Sequence, residues 1–299
     1  MSSKDPVPKS VNKKVISPVQ LIQDGLLYVE VTVVILLLFL YVQPYQRVFH
    51  CDDDSIRYPY MPDIVTNGVL MSLSAMVPML AILFVETMRE RGLKRSAACG
   101  DATSRIAITI TENETPSAVA DADEVLYFVG NRRMSPLFYH IGRHISVFSI
   151  GFAACVILTF VGKLATGELR PHFLDICKPN WTQIECVSRS YFDATVCQGA
   201  DLALLKEARQ SFPSGHASIS AYAAVFTILY LRKRPLRSSS PNTSRFIMPV
   251  LQLILVSSVL FTGLSRVADN HHHLTDVVAG WIVGAGTAIM FCCHYGLLR

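Results

Sequence analysis

The sequence predicts an all-α integral membrane protein, a bundle of six transmembrane helices. Two observations carry this. The 299 residues are 51% hydrophobic, with a mean hydropathy of +0.36, and the apolar residues gather in long runs rather than spreading periodically. The basic residues stand at the ends of those runs. In lipid, only helices or closed barrels satisfy every backbone N–H and C=O, and these runs have helix length. The net charge of +4 is modest, and no aromatic array interleaves the basic residues. That pattern argues against nucleic-acid binding.

The first run, 25–43, carries one charge, Glu30. It is too long for the apolar part of a signal peptide and lacks a small-residue cleavage site, so it reads as an uncleaved span. About 20 residues cross the hydrocarbon core. Further runs cover 67–85, 146–164, 217–231, 248–264 and 277–294. Residues 1–24 form an N-terminal tail, and 25–299 form one membrane domain. Within it, 96–123 is rich in Ala, Ser, Thr, Asp and Glu, and reads as a flexible cytosolic linker. There is no internal repeat, and no long sheet is needed.

Six spans place the termini, the second loop and the fourth loop on one side. Those segments hold 18 of the 27 Lys and Arg residues. The excess of basic residues makes that side cytoplasmic. The densest cluster, 232–237, reads as an orientation signal. The loops 44–66, 165–216 and 265–276 then face the extracellular space or an organelle lumen, with the plasma membrane expected and an endomembrane the alternative. Cys51, Cys177, Cys186 and Cys197 fall in those loops. An even number of cysteines in an oxidising compartment implies disulfides. Three pairings exist, and the local pair Cys186–Cys197 is the first expectation. Cys292 and Cys293 read as small apolar filler. Of the sequons at Asn113, Asn180 and Asn242, only Asn180 lies outside in this topology, so it is the expected glycan acceptor.

Three polar pieces interrupt the runs on the non-cytoplasmic side. The first is Lys163 with Arg170-Pro171. Seven residues make about two turns, so the two cations share a face on a continuous helix, which Pro171 then ends. Alone, such cations read as snorkelling residues. The guanidinium fork and the ammonium also suit phosphate oxygens. The second piece, Pro213-Ser214-Gly215-His216, opens a span. Ser214 is an N-cap candidate, and Gly215 allows close backbone approach. A helix start favours an anion, and His216 stands beside it. The third piece is Ser265-Arg266 followed by His272 and Asp276. On a helix, residues four apart are neighbours. A carboxylate on one ring nitrogen fixes the tautomer and makes the other nitrogen a better nucleophile. The run His271-His272-His273 invites a metal, but no second ligand cluster completes a shell in the sequence.

Together the pieces read K-x6-R-P, P-S-G-H and S-R-x5-H-x3-D. This pattern resembles the lipid phosphate phosphatase family of the type 2 phosphatidic acid phosphatase superfamily, and every pattern residue is present. The stretches 170–177 and 206–218 resemble animal members as well. The resemblance implies six spans with a site at the non-cytoplasmic membrane edge. It also implies metal-independent hydrolysis of phosphatidate, lysophosphatidate, sphingosine 1-phosphate or ceramide 1-phosphate. By resemblance, His272 is the nucleophile that forms a phosphohistidine, Asp276 orients it, and His216 is the acid and base. Lys163, Arg170, Ser214, Gly215 and Arg266 bind phosphate. No metal or other cofactor is expected. The expected partners are a lipid phosphate, the bilayer and further copies of the chain in an unspecified oligomer. The alternative is a catalytically silent relative that binds lipid phosphate or partner proteins. A transporter would need more charge within the spans than Glu30 supplies.

Overall fold

A computed structural model describes residues 12–16, 26, 29–30, 33–37, 40–110, 125–129, 132–182, 191–234 and 241–296. The chain is mostly helical. Helix α1 spans Asn67–Ile110, and α2 spans Pro136–Thr166, with proline at its first position. Two short helices follow, α3 at Phe173–Cys177 and α4 at Leu202–Glu207. Helices α5, Gly215–Lys233, α6, Pro241–Ala268, and α7, Leu274–His294, complete the bundle. Among the described residues, four stretches are long and apolar enough to cross a membrane: Asn67–Lys94, Pro136–Thr166, Phe246–Ala268 and Leu274–His294. The protein is a multi-pass membrane protein. The expected first span, 25–43, is helical where it is described between 26 and 41; the rest of it lies outside the described residues.

Helix α5 is the centre of the bundle and packs on α1, α2, α6 and α7. Its Ser, Ala, Thr and Tyr side chains turn toward neighbouring helices, which explains its lower apolarity. Phe148 of α2 meets Phe226 edge-on at 5.1 Å, and Tyr222 Oη donates to the Phe148 carbonyl at 2.8 Å. Leu253 and Ile282 are 66% and 68% exposed. In a bundle such surfaces meet lipid, so helix association rests on close packing rather than on burial from water. Gly280 and Gly284 of α7 show this. A Cβ on Gly284 would lie 2.1 Å from the Ser218 carbonyl oxygen, and one on Gly280 would lie 2.6 Å from the Ser214 carbonyl oxygen. Only glycine lets α7 come this near to α5.

Four details differ from the sequence reading. Residues 96–110 continue α1 rather than beginning a linker, consistent with the high helix propensity of their alanines; 111–124 lie outside the described residues. A three-stranded sheet also forms from β1 (Asn12–Ile16), β3 (Val125–Val129) and β4 (Arg132–Met134). In it β1 runs parallel to β3, and β4 antiparallel. It precedes Pro136, so it lies at the end of α2 remote from Lys163. Glu86, expected to open a cytosolic loop, is buried and accepts from Tyr230 Oη at 3.0 Å.

The fourth difference is the disulfide. Cys177 pairs with Cys197, not Cys186 with Cys197, and Cys51 is also disulfide-bonded. The backbone amides of Gln198 and Gly199 both donate to the Cys177 carbonyl. That turn brings the Cys177 and Cys197 Cα atoms to 4.5 Å, so chain folding overrides sequence proximity. Cys186 lies outside the described residues. The bridge pins a small apolar cap over the end of the bundle, containing Phe49, Leu169, Phe173 and Ala208. A two-stranded ribbon of β2 (Phe49–His50) and β5 (Tyr191–Phe192) closes this cap.

Candidate active site

The three polar pieces meet at one end of the bundle, around a cavity of about 310 Å³. Its polar wall holds Lys163, Arg170, Gly215, His216, Arg266 and His272. Its apolar wall holds Leu70 and Met71 of α1, Val156 and Phe160 of α2, and Ile219 of α5. Ser214 and Asp276 are buried behind the polar wall.

Lys163 and Arg170 reach this cavity by a route different from the expected continuous helix. Helix α2 ends at Thr166, and Gly167 adopts a left-handed φ of 54°. A Cβ there would lie 2.0 Å from the Tyr45 carbonyl oxygen, so glycine is required at the turn. Lys163 stays on the last turn and donates to the Gln210 carbonyl. Arg170 sits in the following loop, placed by two backbone bonds: its own N–H to Ala208 O and the Ser211 N–H to Glu168 O, both 2.9 Å.

Ser214 caps α5, as the sequence indicates, accepting from the Ala217 amide at 3.4 Å. Its own N–H donates to the Asp276 carbonyl at 3.0 Å, which ties the start of α5 to the first turn of α7. His216 Nε2–H donates to the Val65 carbonyl at 2.9 Å. Arg266 donates to the same carbonyl at 3.1 Å and to Asp63 Oδ1 at 2.9 Å, and it also pairs with Asp269.

His272 and Asp276 do not share a helix. His272 precedes α7, whose N-cap is His273, and Asp276 accepts from the His273 amide at 2.9 Å. The His272 Nδ1 to Asp276 Oδ2 separation is 3.6 Å, beyond a direct bond. Ser211 fills the gap. Its hydroxyl donates to Asp276 Oδ2 at 2.5 Å, because a carboxylate can only accept. Its oxygen, 3.4 Å from His272 Nδ1, then accepts the Nδ1 proton. That tautomer leaves the Nε2 lone pair unprotonated.

Burial, reinforced by the cations Lys163 and Arg170, holds His272 well below the ordinary imidazole range. Burial also lowers His172 to about 4 and depresses His271. All three imidazoles are therefore neutral in the folded protein at neutral pH. The unfolded chain takes up these protons as pH falls below about 6.5, while the folded state resists. Their contribution to stability is thus complete above about pH 6.5 and is lost as pH falls toward the folded values. We expect a lower melting temperature at pH 5 than at pH 7.5, and a smaller drop in His172→Gln. An equal drop in that variant would remove His172 from the account.

His271 is the member of the histidine run with a possible ligand cluster. Its ring nitrogen and the Asp63 and Asp269 carboxylates lie within 4.8 Å of one another. Arg266 donates to both carboxylates, so a guanidinium already supplies the positive charge there. His271 itself accepts from Arg170 through Nδ1 at 3.2 Å and donates to the Met61 carbonyl through Nε2 at 2.9 Å.

Several residues at this site escaped the sequence reading. Ser211 lies two residues before Pro213, inside the stretch that resembles animal phosphatases, and that proximity was its available signal. Glu207, in the same stretch, accepts from Arg170 at 2.9 Å and lines the cavity. Asp63 and the Val65 carbonyl come from a loop without a motif. Asn180 Oδ1 accepts from both the amide and the hydroxyl of Thr182, at 3.2 and 2.7 Å.

Residues 145–298 match the model of the PAP2 superfamily. The chain is 34% identical to mouse phospholipid phosphatase 1 over 251 residues, covering 84% of this chain and 75% of the relative. It is 33% identical to bovine phospholipid phosphatase 2 over 244 residues, covering 81% and 70%. No solved structure matches. The superfamily match contains the whole cavity wall from Val156 onward, and the relatives span most of the remaining chain. On these grounds the chain belongs to the lipid phosphate phosphatase family of the PAP2 superfamily, and it is a phosphatase.

Proposed function

We propose that the protein removes phosphate from lipid phosphates without a metal, through a phosphohistidine on His272. The observation that carries this reading is the two-sided cavity, cationic on one wall and apolar on the other, with a neutral imidazole facing it. An amphiphile with a phosphate at one end fits both walls. Phosphatidate, lysophosphatidate, sphingosine 1-phosphate and ceramide 1-phosphate share that form.

His272 Nε2 attacks phosphorus as the bond to the lipid oxygen breaks. In the substrate complex His216 carries a second proton and gives it to the leaving alkoxide, so the dephosphorylated lipid departs as an alcohol. Water then attacks the phosphohistidine, His216 takes its proton, and inorganic phosphate and free imidazole result. Asp276, through Ser211, keeps the proton on Nδ1 during attack. Lys163, Arg170 and Arg266 neutralise the equatorial oxygens, the work that metal ions do in other phosphatases. Ser214 and the Gly215 amide orient the phosphate at the α5 start.

The test is phosphate release by the purified protein from phosphatidate in mixed micelles with EDTA, and again with vanadate. Turnover is expected to survive the chelator and to fall with vanadate. Loss of all turnover in EDTA would refute the metal-independent mechanism.

The same reading places six spans in the membrane, the termini in the cytoplasm and the cavity outside, with the plasma membrane the expected site. It makes Asn180 the glycan acceptor. A glycan on Asn113 or Asn242 would invert this topology.

A further inference from the structure

Glu207 is a carboxylate in a cavity that must admit an anion. It occupies the Arg170 fork at 2.9 Å, and its side chain is 51% exposed while that of Arg170 is 9% exposed. Lys163, Arg170 and Arg266 line the cavity together with Asp63 and Glu207. A phosphate that takes the Arg170 guanidinium displaces Glu207 and leaves its carboxylate without that partner. Asp63 is not displaced in this way, because it is held by Arg266 and by His271 at 3.3 Å. Glu207 is the last residue of α4, and among the described residues its carboxylate is bonded to Arg170 alone.

We infer that Glu207 is a specificity-determining residue, selecting lipid phosphates that carry a positive charge beside the phosphate. This rests on the reading of the cavity as the phosphatase site. When a phosphate takes the Arg170 fork, the Glu207 carboxylate remains within about two hydrogen-bond lengths of it, roughly 6 Å. An ammonium on the carbon next to the phosphoester carbon falls within that reach. It gives Glu207 a partner in place of Arg170. A sphingoid-base phosphate has this group; its N-acylated counterpart keeps the phosphate and loses the charge.

The test compares kcat/KM for sphingosine 1-phosphate and ceramide 1-phosphate in mixed micelles. Glu207→Gln removes the carboxylate charge that the ammonium would meet. The ratio of the two lipids is expected to fall about fivefold in that variant, the scale of a half-exposed ion pair. Glu207→Asp, which keeps the charge, is expected to retain the preference. A purely structural role for Glu207 would change both lipids equally, and an unchanged ratio in Glu207→Gln overturns the assignment. A second measurement uses the wild type alone. Between about pH 8 and 10 the substrate ammonium loses its proton, and the ratio must decline. A ratio constant over that range also overturns it. Absence of turnover with either lipid by the wild type would instead overturn the phosphatase reading of the cavity.

Discussion

His272→Ala is expected to lower phosphate release by at least about 10³-fold, with the protein still folded. In the proposed mechanism the imidazole has two jobs that alanine cannot share. It supplies the attacking lone pair, and it carries the covalent phosphoryl group between the two half-reactions. The surroundings leave no substitute. Ser211 and Asp276 are turned away, bonded to each other at 2.5 Å. His271 points its nitrogens at Arg170 and the Met61 carbonyl. His216 is engaged with Val65. The measurement is phosphate release from phosphatidate, alongside a melting curve. Turnover near wild type would remove His272 as the nucleophile. The variant keeps Lys163, Arg170 and Arg266, so it is also expected to bind vanadate or lipid phosphate.

His216→Ala is expected to slow turnover by about 10²- to 10⁴-fold, the range for a positioned acid or base. The loss should divide between the two half-reactions. A lipid alkoxide needs a proton to leave, so attack on phosphatidate slows. An aryl phosphate has a leaving group stable as an anion, so attack on it survives while hydrolysis of the intermediate does not. Acid-labile phosphoryl label should therefore accumulate on the variant when it is quenched after mixing with a labelled aryl phosphate. Equal slowing with both substrates and no trapped label would take the acid and base role away from His216. The Val65 carbonyl bears on this result, because it holds the Nε2 proton in the empty site. Backbone shifts in the loop before α1 are expected to change the rate without touching a motif residue.

Much of this molecule was legible in its apolar runs. Among the described residues, four expected spans fall on helices long and apolar enough to cross a membrane, features announced by length and composition alone, and 217–231 falls on the less apolar α5. The motif residues were also recognisable, because phosphate chemistry needs rare combinations of cation, imidazole and carboxylate. The geometry between them was less so. Spacing suggested one helix for Lys163 and Arg170, but Gly167 turns the chain because Tyr45, over 100 residues earlier, leaves no room for a side chain. Spacing likewise suggested a direct His272 to Asp276 contact. Asp276 instead satisfies the amide that opens α7, and Ser211 bridges the remaining gap. The Cys177–Cys197 bridge and the roles of Asp63 and Val65 depend on tertiary neighbours that no local pattern reports.

The glycine contact between α5 and α7 also has a consequence in time. A chain emerging from the ribosome makes its N-terminal parts first. Lys163, Arg170 and His216 are synthesised before His272 and Asp276, and the Ser214 amide finds its carbonyl partner on α7. Only when Gly280 and Gly284 slide against Ser214 and Ser218 does the cavity acquire its back wall. On the proposed mechanism a nascent chain is therefore inert until α7 is seated against α5. A chain that stops short of His272 would carry Lys163 and His216 without the proposed nucleophile.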